Sequence, residues 1–205
     1  MAVDTDYWAQ GLSLSDGEPA VSVTVAAEGH GGGYAGVTAI ADETHHAGVQ
    51  PLGFVAYAGY AGRLDQSGAW DVGIVHTDAT LRLSRRYELA YTQIYAGVST
   101  GNVSVHIFYA PTYLYENAGA AYLDLNGAFH PAAHWRLFGH VGGLALVGEG
   151  APAGQPRIDV RFGVAREFGT SEIRLMWTAT SGAAIYPTGD RQRSQAFVLG
   201  ATHAF

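Results

Sequence analysis

Short runs in which apolar and polar residues alternate recur along the chain, and this period-two pattern restricts the fold to β-structure. Ser22-Val23-Thr24-Val25 alternates, as does Val103-Ser104-Val105-His106-Ile107. Ile158-Asp159-Val160-Arg161-Phe162 and Ile173-Arg174-Leu175-Met176-Trp177 put apolar and charged side chains on opposite faces of a strand. No helical periodicity competes, and no capped face joins the frequent Gly and Ala. Turn signals such as Gly31-Gly32-Gly33, Gln66-Ser67-Gly68, Thr100-Gly101-Asn102 and Phe168-Gly169-Thr170 separate the runs. Runs and breaks together predict about twelve strands, with ten as the alternative. Their centres fall near Trp8, Val23, Val37, Val55, Val72, Tyr91, Val105, Leu123, Leu137, Val160, Leu175 and Leu199.

The connections alternate in length. The short set is Gly29 to Gly33, Asp65 to Gly68, Ser99 to Asn102, Pro131 to His134 and Phe168 to Ser171. The longer or more polar set is Ser15 to Pro19, Asp42 to Gln50, Asp78 to Arg86, Pro111 to Gly119, Gly148 to Arg157 and Gly182 to Ser194. Short turns at one end and long loops at the other are the habit of transmembrane β-barrels. The expected fold is therefore all-β: a single domain over residues 1–205, folded as a transmembrane antiparallel up-and-down barrel. Its short turns face the periplasm and its long loops the outside.

Composition supports a chain that hides one face from water. Only 14% of residues are charged against 48% hydrophobic, where a soluble domain carries about a quarter charged. The net charge of −7 and the lack of a basic run exclude nucleic acid as a partner. Without cysteine there is neither a disulfide framework nor a thiolate metal site. The apolar stretches Phe54 to Gly62 and Val141 to Val147 are too short for a spanning helix, which needs about 20 residues. The opening MAVDTDYW carries no leader pattern, which suits a mature sequence bearing an added or retained Met1.

The chain ends Gln195-Ala-Phe-Val-Leu-Gly-Ala-Thr-His-Ala-Phe205, with Phe197, Leu199, Ala201, His203 and Phe205 on one face. A terminal aromatic on an alternating strand resembles the signal read by the bacterial barrel-assembly machinery. Phe205 is thus the expected membrane-assembly signal, and the bacterial outer membrane the expected location.

A family resemblance begins at Asp6-Tyr7-Trp8-Ala9-Gln10-Gly11-Leu12-Ser13-Leu14-Ser15, followed by Glu18-Pro19-Ala20. It continues through Gly33-Tyr34-Ala35-Gly36, Tyr57-Ala58-Gly59-Tyr60, the run YELAYTQIYAG from Tyr87 to Gly97, and Tyr122-Leu123-Asp124-Leu125-Asn126. These motifs resemble the TorF family of proteobacterial porin-like proteins, whose opening reads D-Y-x-x-R-G-x-S-x-S…P-A. Gln10 stands where that pattern carries Arg. The resemblance implies an outer-membrane barrel engaged in passive transport, without an established substrate.

If the apolar parity faces lipid, Trp70, Val72, Ile74, Leu123, Leu125, Trp135 and Leu137 point outward. Asp71, Asp124, Asn126, Arg136, His140, Asp159, Arg161 and Arg174 then line the pore, because an Arg on the lipid face at mid-bilayer costs about 2–4 kcal/mol. Such a lumen either screens small solutes by size and charge or is plugged by its own ion pairs. The strand near Tyr91 shows both parities, Leu89/Tyr91 against Ile94/Ala96, which predicts a bulge. Tyr7, Trp8, Tyr34, Trp70, Tyr91, Tyr95, Tyr109, Tyr122, Trp135 and Trp177 suit interfacial girdles. Pro111 to Tyr115 and Ile185 to Pro187 could fold into the barrel mouth or touch lipopolysaccharide.

Catalysis finds little support. His45-His46 with Asp42 and Glu43 has metal-binding residue types, but a solvated loop is the better explanation of them. No His is followed two residues later by Ser, the pair that barrel hydrolases resemble one another in. His76-Thr77-Asp78 lacks a nucleophile, and Gly29 to Gly33 lacks the Lys of a phosphate loop. No enzyme activity, metal or cofactor is expected. The function expected is a porin-like channel for small polar solutes, or else a closed-lumen structural or interaction barrel. A soluble β-sandwich or ligand-binding barrel would need polar outward faces.

Overall fold

The computed structural model describes residues 1–44, 48–82, 86–114, 117–151, 156–181 and 193–205. Among these the chain forms strands and no helix. In order they are β1 (Ala2–Asp4), β2 (Trp8–Ala9), β3 (Leu12–Ser13), β4 (Ala20–Glu28), β5 (Gly33–Thr44), β6 (Gly48–Arg63) and β7 (Gly68–Arg82). There follow β8 (Arg86–Thr100), β9 (Val103–Ala110), β10 (Gly119–Ala132), β11 (Trp135–Val147), β12 (Arg157–Phe168), β13 (Ser171–Thr180) and β14 (Gln195–His203). Twelve of them, β1 and β4 to β14, close into one antiparallel barrel, while β2 and β3 pair only with each other. The seam is β1, whose Asp4 lies opposite Gly200 of β14 on one side and Ala20 of β4 on the other. Both termini lie at the end of the short turns, where Ala204 N–H donates to the Thr170 carbonyl.

Eleven of the expected strand centres lie in the wall, but Trp8 does not. Trp8 and Leu12 alternate with their neighbours as wall residues would. However, Gln10 and Gly11 both take positive φ, 45° and 75°, the geometry of a two-residue hairpin turn. The chain therefore reverses within a few residues and folds inward. A barrel of this strand number is wider than wall side chains alone can fill, so its interior offers this hairpin an apolar seat.

The expected bulge near Tyr91 is also absent. β7 and β8 pair without a register shift from Gly68↔Thr100 to Arg82↔Arg86. Leu89 and Tyr91 point inward onto the hairpin, and Ile94 and Val98 point out. Both parities are apolar because the inward face packs on the hairpin while the outward face is part of the apolar exterior of the barrel. Register shifts occur instead between Ile40 and Ala41 and between Phe129 and Ala132. Two expected loops are mostly strand: β5 and β6 pair out to Thr44↔Gly48, and β7 and β8 out to Arg82↔Arg86. On these extended hairpins Glu43 and Asp78 are exposed, while Asp42 is buried.

The outward face carries large apolar side chains around the circumference. Val25, Phe54, Ile74, Ile94, Ile107, Leu123, Leu137, Phe162, Leu175 and Phe197 are all exposed, from 39% at Phe54 to 74% at Phe197. Soluble monomers rarely expose contiguous apolar patches beyond a few hundred Å².

Candidate functional site

The stretch between β1 and β4 plugs the loop-side half of the barrel. Its centre is Asp6, only 3% exposed. One carboxylate oxygen accepts from the hydroxyls of Ser13 (2.6 Å) and Ser15 (3.1 Å) and from Gly17 N–H (3.2 Å). The other accepts from the Trp8 indole N–H at 2.7 Å. Tyr7 N–H donates to the Ser15 hydroxyl, and Leu14 N–H to the Tyr7 carbonyl. This knot turns the apolar side chains outward from the hairpin onto the wall. Leu12 and Leu14 pack with Ile40, Leu52, Ala79 and Leu89. Trp8 packs with Met176 and Val198. At the tip, Arg157 donates to the Gln10 carbonyl at 2.6 Å, and the Gln10 amide reaches Gln93 at 3.2 Å. Tyr113, from the loop after β9, closes a neighbouring cluster with Ala110, Tyr122 and Leu144 and meets the Tyr91 ring edge-on at 4.9 Å. Tyr113 and Leu114 thus fold into the barrel mouth. Tyr115 and Ile185 to Pro187 lie outside the described residues.

Below the plug, on the turn side, the lumen opens into polar cavities. One of about 420 Å³ reaches the Gly101-Asn102 turn and is bordered by Asn126, Arg136, His140 and Arg161. Another of about 370 Å³ lies under Asp6, Tyr7 and Trp8. The wall groups around them are tied together. His140 Nδ1 lies 2.9 Å from Asp124 and 3.1 Å from Asn126, and its Nε2 lies 2.8 Å from Asp159. The Tyr122 hydroxyl donates to Asp159. Arg136 pairs with Glu172. Arg174 donates to both Asp4 oxygens, at 2.6 and 2.8 Å, and to the Thr202 hydroxyl, fixing the three-residue β1 to β13 across β14. Across the lumen, Asp71 holds His106 at 3.0 Å and accepts from the Tyr34 hydroxyl, which also meets that of Tyr95 at 2.6 Å.

All eight residues expected on the inner face lie there, but not as one ring. Asp124, Asn126, His140 and Asp159 form one cluster, Arg136 and Arg174 belong to separate ion pairs, and Asp71 stands on the far wall. Asp159 is 2% exposed beneath the hairpin tip, so it faces protein and not open lumen. Sequence reasoning passed over Asp4, Asp6, His106 and Glu172. Parity alone would have found His106, between outward Val105 and Ile107, and Glu172, two positions before Arg174.

The expected girdle divides. Trp70 packs on outward Tyr60, Trp177 stacks on outward Phe162, and Tyr109 and Trp135 are exposed. Tyr7, Trp8, Tyr34, Tyr91, Tyr95 and Tyr122 instead face the interior. They lie near turns in sequence, but the hairpin and the lumen hydrogen bonds draw them in. His76 bonds Thr92, and Asp78 is exposed; His45 and His46 lie outside the described residues.

No curated protein matches the chain. A solved structure described as the NanC porin in a rhombohedral crystal form is similar in fold. Its TM-score is 0.70 at 9% identity, covering 100% of this chain and 99% of that one. In vitro folded OmpT, an outer membrane protein of Vibrio cholerae, shares 16% identity over 92% of this chain and 65% of its own, with a TM-score of 0.46. Residues 1–200 match the family described as "Bacterial protein of unknown function (Gcw_chp)". The protein is therefore a closed twelve-stranded barrel of the bacterial Gcw_chp family, plugged on one side by its own N-terminal hairpin.

Proposed function

We propose that the protein is an outer-membrane barrel whose loop end is held shut by the hairpin between β1 and β4, and that it conducts small polar solutes only when that hairpin leaves the lumen. The observation carrying this is burial around the loop-side wall. Inward Ile40, Leu52, Ala79, Leu89, Ala110, Leu144, Thr178 and Val198, from eight different strands, are all at most 4% exposed. A continuous water-filled channel would leave such side chains wet.

The membrane part of the reading is supported by the apolar outward belt and by fold similarity to a porin. In lipid a closed barrel satisfies every ladder hydrogen bond, and the exposed Val, Leu, Ile and Phe side chains are solvated by acyl chains. The short turns would face the periplasm, so the polar cavities open on that side and the plug faces outward, near lipopolysaccharide. Phe205, 98% exposed beyond β14, is free to serve as the signal for the assembly machinery. Kinship with the TorF porins is part of the same reading. Its defining stretch, Asp6 to Ser15, is the plug itself.

Planar-bilayer recording tests the proposal. β1 and β4 are adjacent antiparallel strands, so Asn-Gly in place of residues 6–18 joins them by a tight turn. The intact barrel is expected to stay closed, and the shortened one to show discrete conductance steps. Equal steps from both would refute the hairpin as the closure. No steps from the shortened barrel would refute conduction and leave a structural or interaction barrel.

A further inference from the structure

Among the described arginines that border the turn-side cavities, Arg161 is the one that the lumen leaves unsatisfied. Arg136 is held by Glu172, Arg174 by Asp4, and Arg157 by the Gln10 carbonyl. Among the described residues Arg161 has no hydrogen bond or ion pair, and its Nε is shut off from solvent without a partner. Asp159, the next inward residue on β12, is turned away onto His140 and Tyr122. Arg161 borders three cavities at once, of about 420, 370 and 240 Å³. Aromatic side chains stand beside it: Trp8 and Phe138 in one cavity, Trp8 and Phe108 in another. The Asn126 side chain borders it too.

We propose that Arg161 anchors the carboxylate of a small organic monoacid that enters from the turn side, with the acid's apolar body against Trp8 and Phe138. A planar guanidinium with free donors matches a carboxylate in bidentate geometry. A half-dry cavity strengthens that pairing relative to water. The single charge follows from the surroundings. Asp4, Asp6, Asp124 and Glu172 line the same cavities, so a dianion such as phosphate meets repulsion that a monoanion largely escapes. The site does not depend on whether the barrel conducts.

Calorimetric titration of the full-length folded barrel in detergent tests this, with benzoate and inorganic phosphate as probes. Benzoate is expected to bind saturably, and phosphate at least about 10-fold more weakly. Arg161→Gln, which keeps size and loses charge, should weaken benzoate at least about 10-fold, the loss of one charge-assisted contact. Arg161→Lys should lie between, and it covers the case in which Arg161→Gln fails to fold. Absence of saturable benzoate binding would overturn the proposal, as would unchanged affinity in either variant. Phosphate binding as tight as benzoate would overturn the monoacid assignment. Conductance is not read, so these results stand apart from the fate of the hairpin as a gate.

Discussion

Removing the Asp6 carboxylate should release the plug without dismantling the barrel. Four donors converge on it, and three of those hydrogen bonds are buried. In Asp6→Ala the hydroxyls of Ser13 and Ser15 can turn toward other acceptors. The Trp8 indole N–H and the Gly17 N–H are fixed and stay unpaired. An orphaned buried donor costs about 1–3 kcal/mol, so two, one of them only partly buried, cost about 2–4 kcal/mol in the docked state. Undocked, both find water. The docking equilibrium should therefore fall by about 30- to 1,000-fold. The wall ladder does not involve Asp6, so heat-modifiable gel mobility should survive. Two assays read the plug directly. Chymotrypsin should cut at Tyr7, Trp8, Leu12 or Leu14 in the variant and spare the parent. Bilayer recording should show intermittent openings. If the variant resists cleavage and stays closed while the shortened barrel conducts, the carboxylate knot is not what holds the hairpin. Apolar seating of Trp8, Leu12 and Leu14 and the Arg157 bond to the Gln10 carbonyl would then carry it.

Other expectations follow from the wall. Leu175 sits mid-strand on the outward face, 49% exposed; Leu175→Arg should cost about 2–4 kcal/mol in denaturant titrations from lipid vesicles, and less in detergent. A Cβ at Gly142 would meet the Tyr122 hydroxyl and the Asp159 carboxylate, so Gly142→Ala should destabilise by about 1–3 kcal/mol by the same titration. In the β6–β7 turn, the backbone N–H groups of Ser67 and Gly68 hold the Asp65 carboxyl below its ordinary pKa. The folded value being the lower one, its contribution is present above the unfolded pKa of about 3.9 and vanishes as pH falls through the folded value. The stability gap between parent and Asp65→Ala should accordingly close in acid. Deleting Phe205 should slow assembly-machinery-dependent insertion while leaving the denaturation midpoint of the folded barrel unchanged.

Much of the wall was legible because lipid-type patterning leaves little freedom. On β12 and β13, Ile158, Phe162, Ile173 and Leu175 face out and Asp159, Arg161 and Arg174 face in, and one residue of slip would expose every charge. The short turns were legible for a related reason. Gly101 and Gly169 take positive φ in two-residue turns that tolerate few sequences. The closing strand was not legible. β1 has three residues, too few for a period to register. It is held by Arg174 gripping Asp4 at a sequence separation of 170.

The plug was hidden for a deeper reason. Alternation reports that one face of a strand is apolar, and it does not say whether lipid or protein covers that face. Trp8, Leu12 and Leu14 alternate as a membrane strand would, yet they face the inside of the wall. The residues that receive them, Leu52, Leu89 and Val198, are apolar on the parity that a water-filled lumen would make polar. A loop-side half apolar on both parities therefore signals a filled barrel. The turn-side half, with Asp71, His106, Asn126 and Arg174 opposite Val72, Ile107, Leu125 and Leu175, signals a wet one. The hydrophobic excess of this chain thus has two destinations, the outward belt and the plug. The place where inward parity changes from apolar to polar marks the floor of the plug, and Arg161 borders the cavities that begin there.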